Sequence, residues 1–254
     1  MTTGRAMGAW AATAAIAATM AAGCTPGTSD VLTVHTAASL AHAFEDIAVD
    51  FEAGHPGVDV RLATGGSSSL ATQLLEGAPA DVFASASHDQ MARVVDAGLA
   101  NAPIDFATNT LAIAVAPGNP RGITDISDLA DRDLTLVTCA TPVPCGVLAR
   151  DAAAIAAVDL SPASEELAVT DVVTKVTTGQ ADAGIVYTTD VADRADLDAV
   201  ALSTDPDVVA AATTTYPISA LTSANDPDLA AQFVAHVTSP SGLATLASYG
   251  FGTP

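Results

Sequence analysis

Val31-Leu32-Thr33-Val34-His35-Thr36 runs directly into Ala37-Ala38-Ser39-Leu40, after which apolar residues recur at Phe44, Ile47, Ala48 and Phe51 before Gly54. The first six residues read as a buried strand, and the spacing after Leu40 predicts a helix. A helix that starts on small residues and a serine leaves backbone N–H groups and a hydroxyl pointing outward from its first turn. The same succession returns twice. Val58 to Leu62 is followed by Gly65-Gly66-Ser67-Ser68-Ser69-Leu70 and a helix to Leu75, and Ala80-Asp81-Val82-Phe83-Ala84 by a helix around Met91, Val94 and Val95. Strands alternating with helices predict an α/β layered architecture with a largely parallel sheet.

Further along, Leu111-Ala112-Ile113-Ala114-Val115-Ala116 is too apolar for an edge strand, and Tyr216-Pro217-Ile218-Ser219-Ala220-Leu221 is a second such segment. Between them lie Leu134 to Thr138, a helix from about Gly146, a helix around Val172 to Val176, a strand Ala183-Gly184-Ile185-Val186-Tyr187 and Val200 to Leu202. The chain ends in two helices, Leu229 to Val237 and Gly242 to Ser248. Read as paired crossings, the two apolar segments divide the chain into lobe I (31–109 with 216–254) and lobe II (110–215). Two lobes on two strands make a hinge and a cleft that closes around a small ligand. One continuous sheet is the alternative.

With 8 Lys and Arg against 29 Asp and Glu, the net charge of -21 excludes a nucleic-acid partner, which is held mainly by cationic side chains. It does not exclude a small anion, because a helix N-terminus attracts one without any cationic side chain. An enzymatic reading finds little support. Gly65-Gly66-Ser67-Ser68-Ser69 lacks the closing glycine of a hydrolase elbow, and the five histidines follow no metal or triad spacing. A serine hydrolase built on Ser39 and His42, three residues apart, is the alternative from another class. His35 is expected to be packed and hydrogen bonded. Lys175 reads either as a solvated helix residue or as a cation near the cleft, and Asp190, Asp193, Asp196 and Asp198 as a solvated acidic face. No acidic spacing matches a calcium loop.

Residues 1–23 resemble a bacterial lipoprotein export signal: Arg5, an alanine-rich apolar stretch, then Ala21-Ala22-Gly23-Cys24. Cys24 would be the lipidated first mature residue, with 24–30 as a tether. The chain would then be anchored at the outer face of the cytoplasmic membrane. An ordinary cleaved signal and an uncleaved anchor helix are the alternatives. Export would leave Cys139 and Cys145 where disulfides persist, either bonded to each other or as two free thiols. A C-x5-C pair with no nearby histidine is a poor zinc site.

Taken together, Ala37-Ala38-Ser39-Leu40, Gly66-Ser67-Ser68-Ser69-Leu70, Gly77-Ala78-Pro79-Ala80-Asp81-Val82-Phe83, Pro144-Cys145-Gly146, Ala181-Asp182-Ala183-Gly184-Ile185-Val186-Tyr187 and the Tyr249-Gly250-Phe251 ending resemble the periplasmic molybdate-binding proteins of ABC importers. The resemblance implies a two-lobed periplasmic binding protein (type II) fold with no enzymatic activity and no cofactor. It implies a monomer that binds molybdate or tungstate and partners an ABC permease and its ATPase. It places the oxyanion on the hydroxyls and backbone N–H groups of Ser39 and Ser67, the backbone N–H groups of Cys145 and Val172, and the Tyr187 hydroxyl. The Val172 side chain would be replaceable. Cys145 stands where the family commonly has a small residue, so a disulfide to Cys139 would brace the loop presenting that donor. A set made only of donors favours a fully ionised dianion over hydrogen phosphate, whose proton would find no acceptor; sulfate would be excluded by size alone.

Overall fold

A computed structural model describes residues 1–4, 30–192 and 194–254. Most of the signal-like segment, Cys24, the tether as far as Ser29, and Asp193 lie outside the described residues.

β1 (Asp30–Ala37) leads through a 3-10 turn at Ala38–Leu40 into α1 (Ala41–Gly54), followed by β2 (Val58–Gly65), α2 (Ser67–Leu75), β3 (Val82–Ala84) and α3 (His88–Asp96). A long strand, β4 (Ile104–Val115), opens the middle of the chain. It precedes β5 (Leu136–Cys139), α4 (Pro144–Ile155), β6 (Ser164–Glu166), α5 (Val169–Thr177), β7 (Ala183–Tyr187), α6 (Thr188–Val191), β8 (Asp198–Ala201) and α7 (Pro206–Ala211). β9 (Thr213–Ala220), α8 (Pro227–Val237) and α9 (Pro240–Ser248) complete the order.

Strands neighbour one another in the order β2-β1-β3-β9-β4-β7-β5-β6, with β8 beside β4. β1 is parallel to β2 and β3, and β5 to β6 and β7, whereas every pairing of β4 and β9 is antiparallel. The parallel sheet expected from strand and helix alternation is therefore interrupted at its centre, where the two crossing strands run in opposite directions. β4 is the joint: its Ile104–Thr110 half pairs with β9, and its Leu111–Val115 half pairs with β7 and β8. Hydrogen bonding is continuous through this strand, but the apolar cores are separate. One gathers Val34, Phe44, Phe51, Tyr216 and Phe233, with a satellite around Leu70, Phe83 and Met91. The other gathers Ile113, Leu136, Val172, Ile185 and Val186. The molecule is thus two-lobed, with both crossings near Thr110 and Thr213.

β9 begins three residues before Tyr216 and β4 seven before Leu111. The added lengths are rich in threonine, and Thr110 and Thr213 meet across the strands with hydroxyl oxygens 2.8 Å apart. α5 lies close on β7 because Gly184 has no side chain: a Cβ there would come within 2.7 Å of Val172 Cγ1 and 2.9 Å of Val176 Cγ2. Cys139 and Cys145 are joined in a disulfide that ties the end of β5 to the first turn of α4.

Candidate functional site

β1, β2 and β7 all end at the cleft between the lobes, so the turns that follow them converge. A small cavity there is lined by Ser39, Gly66 and Ser67 on one side and Cys145, Val169 and Tyr187 on the other. Its empty volume is about 220 Å³, part of which is open to solvent.

The cavity is furnished with donors. In α2 the first helical bond is Leu70 N–H to Gly66 O, leaving the N–H groups of Ser67, Ser68 and Ser69 without a helical acceptor. Ser67 Oγ already accepts from the Ala86 N–H at 2.9 Å, so its own proton is free to be donated. In α4, Pro144 has no N–H, while Gly146 and Val147 both donate to Val143 O. Cys145 therefore supplies the spare N–H of that turn. In α5, Asp171 N–H turns back to Ala168 O, which leaves those of Val169 and Thr170. The Tyr187 hydroxyl is buried, with its residue 1% exposed, and has no hydrogen-bond partner among the described residues.

The capping pattern separates these helices from four others. α3, α7, α8 and α9 each start on a side-chain cap, supplied by Ser87, Asp205, Asp226 and Ser239. The starts that face the cavity, the 3-10 turn and α2, α4 and α5, have none. A missing cap typically forgoes about 1 kcal/mol of stability. Here the uncapped donors are the ones left open to a ligand.

Among the described residues, no Lys or Arg lines the cavity. Burial, followed by the nearby Tyr216 and Asp190, raises the Tyr187 hydroxyl well above its ordinary range, so it remains a donor. Asp190 accepts from the Tyr187 N–H at 2.9 Å and also lines a larger neighbouring cavity of about 460 Å³. Burial pushes its carboxyl up to about 7, against the lowering effects of the Tyr187 N–H and of Arg194. A carboxyl whose pKa is higher folded than unfolded binds more protons in the native state. Its contribution to stability therefore falls as pH rises from about 4 through about 7. Asp190→Asn is expected to remove this slope, read as the difference between parent and variant unfolding curves from pH 4 to 8. That difference also cancels His35, whose pKa burial lowers and whose slope has the opposite sign.

Of the residues assigned from sequence, Ser39, Ser67, Cys145 and Tyr187 are brought to one cavity, and Val172 is not. Val172 is 0% exposed, with its side chain in the lobe II core against Gly184. Its place at the cavity is taken by Val169, because α5 starts there, three residues before Val172. The Val172 side chain is therefore not freely replaceable: Val172→Ala is expected to cost about 1 to 3 kcal/mol of unfolding free energy, read in denaturant.

Other residues also differ from expectation. His42 faces Glu45 at 3.5 Å with its side chain 80% exposed, and Ser39 Oγ bonds Tyr216 Oη at 2.9 Å, so no Ser39–His42 pair exists. Lys175 reaches neither solvent alone nor the cleft; it pairs with Glu166 and donates to Ser164 Oγ. Asp190 is a capping residue rather than part of a solvated face. His35 is packed, but its Nδ1 has no hydrogen-bond partner among the described residues. Asn109 and Tyr216 carried no sequence signal that would have marked them for the site, and Gly66 lay in a motif that stood out for its serines.

Two lobes on crossing strands, with helix N-termini meeting in the cleft, define a binding protein of the type II periplasmic class. The chain belongs to the bacterial extracellular solute-binding proteins, a family matched over residues 32–252. It is 46% identical over 239 residues to the molybdate-binding protein ModA of Mycobacterium tuberculosis, covering 92% of this chain and 88% of that one. Among solved structures, the periplasmic molybdate-binding protein of Azotobacter vinelandii is similar with a TM-score of 0.75 at 19% identity, covering 88% of this chain and 99% of that one. The sulfate-binding protein SubI from Mycobacterium tuberculosis has the same TM-score, 0.75, at 19% identity, covering 87% and 86%. These two structural likenesses speak to the fold alone, which serves receptors for two different oxyanions.

Proposed function

We propose that this chain captures molybdate outside the cytoplasmic membrane, as the binding component of an ABC importer, and performs no chemistry on it. The observation that carries the reading is the buried Tyr187 hydroxyl, without a hydrogen-bond partner among the described residues, on a small donor-lined cavity. The extensive similarity to a molybdate-binding protein supports the choice of anion.

In this reading the oxyanion lies between Ser39 and Ser67 of lobe I and Cys145, Val169 and Tyr187 of lobe II. Val169 supplies the main-chain donor first sought at Val172. Tungstate, of the same shape and charge, is accepted as well. Lipidated Cys24 holds the monomer at the membrane beside the permease and its ATPase. Mass spectrometry of the membrane fraction tests the lipid, and an unmodified soluble mature form overturns that part.

Calorimetry with molybdate, tungstate, sulfate and phosphate is the main test. Molybdate and tungstate are expected to bind, sulfate weakly and phosphate not at all; a folded protein that ignores molybdate overturns the reading. Ser67→Ala is expected to weaken molybdate about 10-fold or more, at about 1.5 to 3 kcal/mol for a charge-assisted bond. The same variant leaves the buried Ala86 N–H without its acceptor, so apo stability should fall as well.

A further inference from the structure

Asn109 and Tyr216 sit on the two crossing strands, β4 and β9, and both are buried. The Thr110 N–H can only donate, and it donates to Asn109 Oδ1 at 3.0 Å, which fixes how the Asn109 amide is turned. Oδ1 also accepts from the Thr188 hydroxyl at 2.9 Å, while Nδ2 donates to Thr189 Oγ1 at 2.7 Å and to Tyr216 Oη at 3.4 Å. Tyr216 Oη lies 2.9 Å from Ser39 Oγ, a contact in which either hydroxyl can be the donor. In the arrangement where Tyr216 donates, Ser39 accepts and has its own proton left for the cavity.

We propose that Asn109 and Tyr216 are positioning residues for the ligand: they hold the Ser39 hydroxyl as a donor toward the anion and tie it, through Thr188 and Thr189, to the segment bearing Tyr187. The inference rests on the reading of Ser39 as an oxyanion donor. Its physical content is direction. With Tyr216 as the donor to Ser39, each proton in the series Asn109 to Tyr216 to Ser39 points toward the cavity, and a fully ionised ligand selects that arrangement by completing the series with an acceptor at its end. Because Thr188 and Thr189 directly follow Tyr187, the same network couples a donor of one lobe to a donor of the other across the hinge.

A double-mutant cycle tests it, with molybdate calorimetry on the parent, Ser39→Ala, Tyr216→Phe and the double variant. Tyr216→Phe keeps the ring and its edge contacts with Phe106 and Phe251, and thermal unfolding of the apo protein checks that it folds. Tyr216→Phe is expected to weaken molybdate about tenfold in the parent and less than twofold when Ser39 is already alanine. A merely structural role for Tyr216 would leave the same loss in both backgrounds, and that result overturns the proposal, as does no loss in either. If Tyr216→Phe does not fold, the cycle is run with Asn109→Ala. A parent that does not bind molybdate, or a silent Ser39→Ala, overturns the site reading instead. Weakening by Ser39→Ala with an additive or silent Tyr216→Phe overturns this inference alone.

Discussion

Gly66→Ala is expected to lower molybdate affinity by two orders of magnitude or more while both lobes stay folded. Gly66 has φ -62 and ψ 131, a conformation any residue adopts, so alanine brings no backbone strain. The obstacle is across the cleft. A Cβ on Gly66 would lie 2.1 Å from the Leu167 carbonyl oxygen and 3.7 Å from Val143 Cγ1, both in the opposite lobe. The oxygen is backbone between β6 and α5 and cannot swing aside as a side chain would. The contact is relieved by opening the hinge, which separates Ser39 and Ser67 from Cys145, Val169 and Tyr187.

Apparent affinity then falls in proportion to the fraction of molecules that can still close. A hundredfold fall corresponds to about 2.7 kcal/mol against the closed state, modest beside a steric overlap with backbone. Calorimetry reads the affinity, small-angle scattering the lobe separation with and without molybdate, and thermal unfolding the integrity of the apo fold. Parent-like binding by Gly66→Ala would show that the anion does not need the two lobes this close, and the cavity would lose its role.

How much of this was legible in the sequence follows from what each residue signals. The buried strands announced themselves through apolar, β-branched runs, and the helices through three- and four-residue spacing, so the two-lobed α/β architecture could be read. The crossings were harder. Ile104 to Thr110 and Thr213 to Thr215 carry threonines, an asparagine and an aspartate, whose pairing is visible only once both strands are in place.

The start of α5 was misplaced for a related reason. Apolar spacing marks the helix around Val172 to Val176, whereas it begins at Val169, and its cap, Ala168, has no hydrogen-bonding side chain to mark that start. A helix start that must present N–H groups to a ligand cannot also occupy them with its own cap, so the feature that serves binding erases the signal. The serines of the first two cradles remained legible because their hydroxyls belong to the donor set. Gly66 and Tyr216 act through atoms far away in sequence, Leu167 O and Ser39 Oγ, which no local pattern predicts.

Tyr187→Phe should move stability and affinity in opposite directions. The Tyr187 hydroxyl is buried without a hydrogen-bond partner among the described residues, and leaving such a group unsatisfied costs about 1 to 3 kcal/mol. Phenylalanine removes that cost and keeps the ring, which packs against Tyr216 with centroids 6.1 Å apart. The Tyr187 N–H that donates to Asp190 is backbone and survives the change. The apo variant is therefore expected to unfold at the same temperature as the parent or a higher one.

With ligand the balance reverses. A hydroxyl donating to a dianion in a dry cleft contributes about 1.5 to 3 kcal/mol, so its loss should weaken molybdate about 10- to 100-fold. The stabilisation that saturating molybdate gives the parent in a thermal scan should shrink accordingly, because ligand-linked stability follows the ratio of free ligand to Kd. A hydroxyl serving only the fold would give the opposite apo result, with Tyr187→Phe less stable and binding little changed. The sign of the apo shift, measured beside the loss of affinity, thus decides whether the strain stored at Tyr187 is kept for the anion.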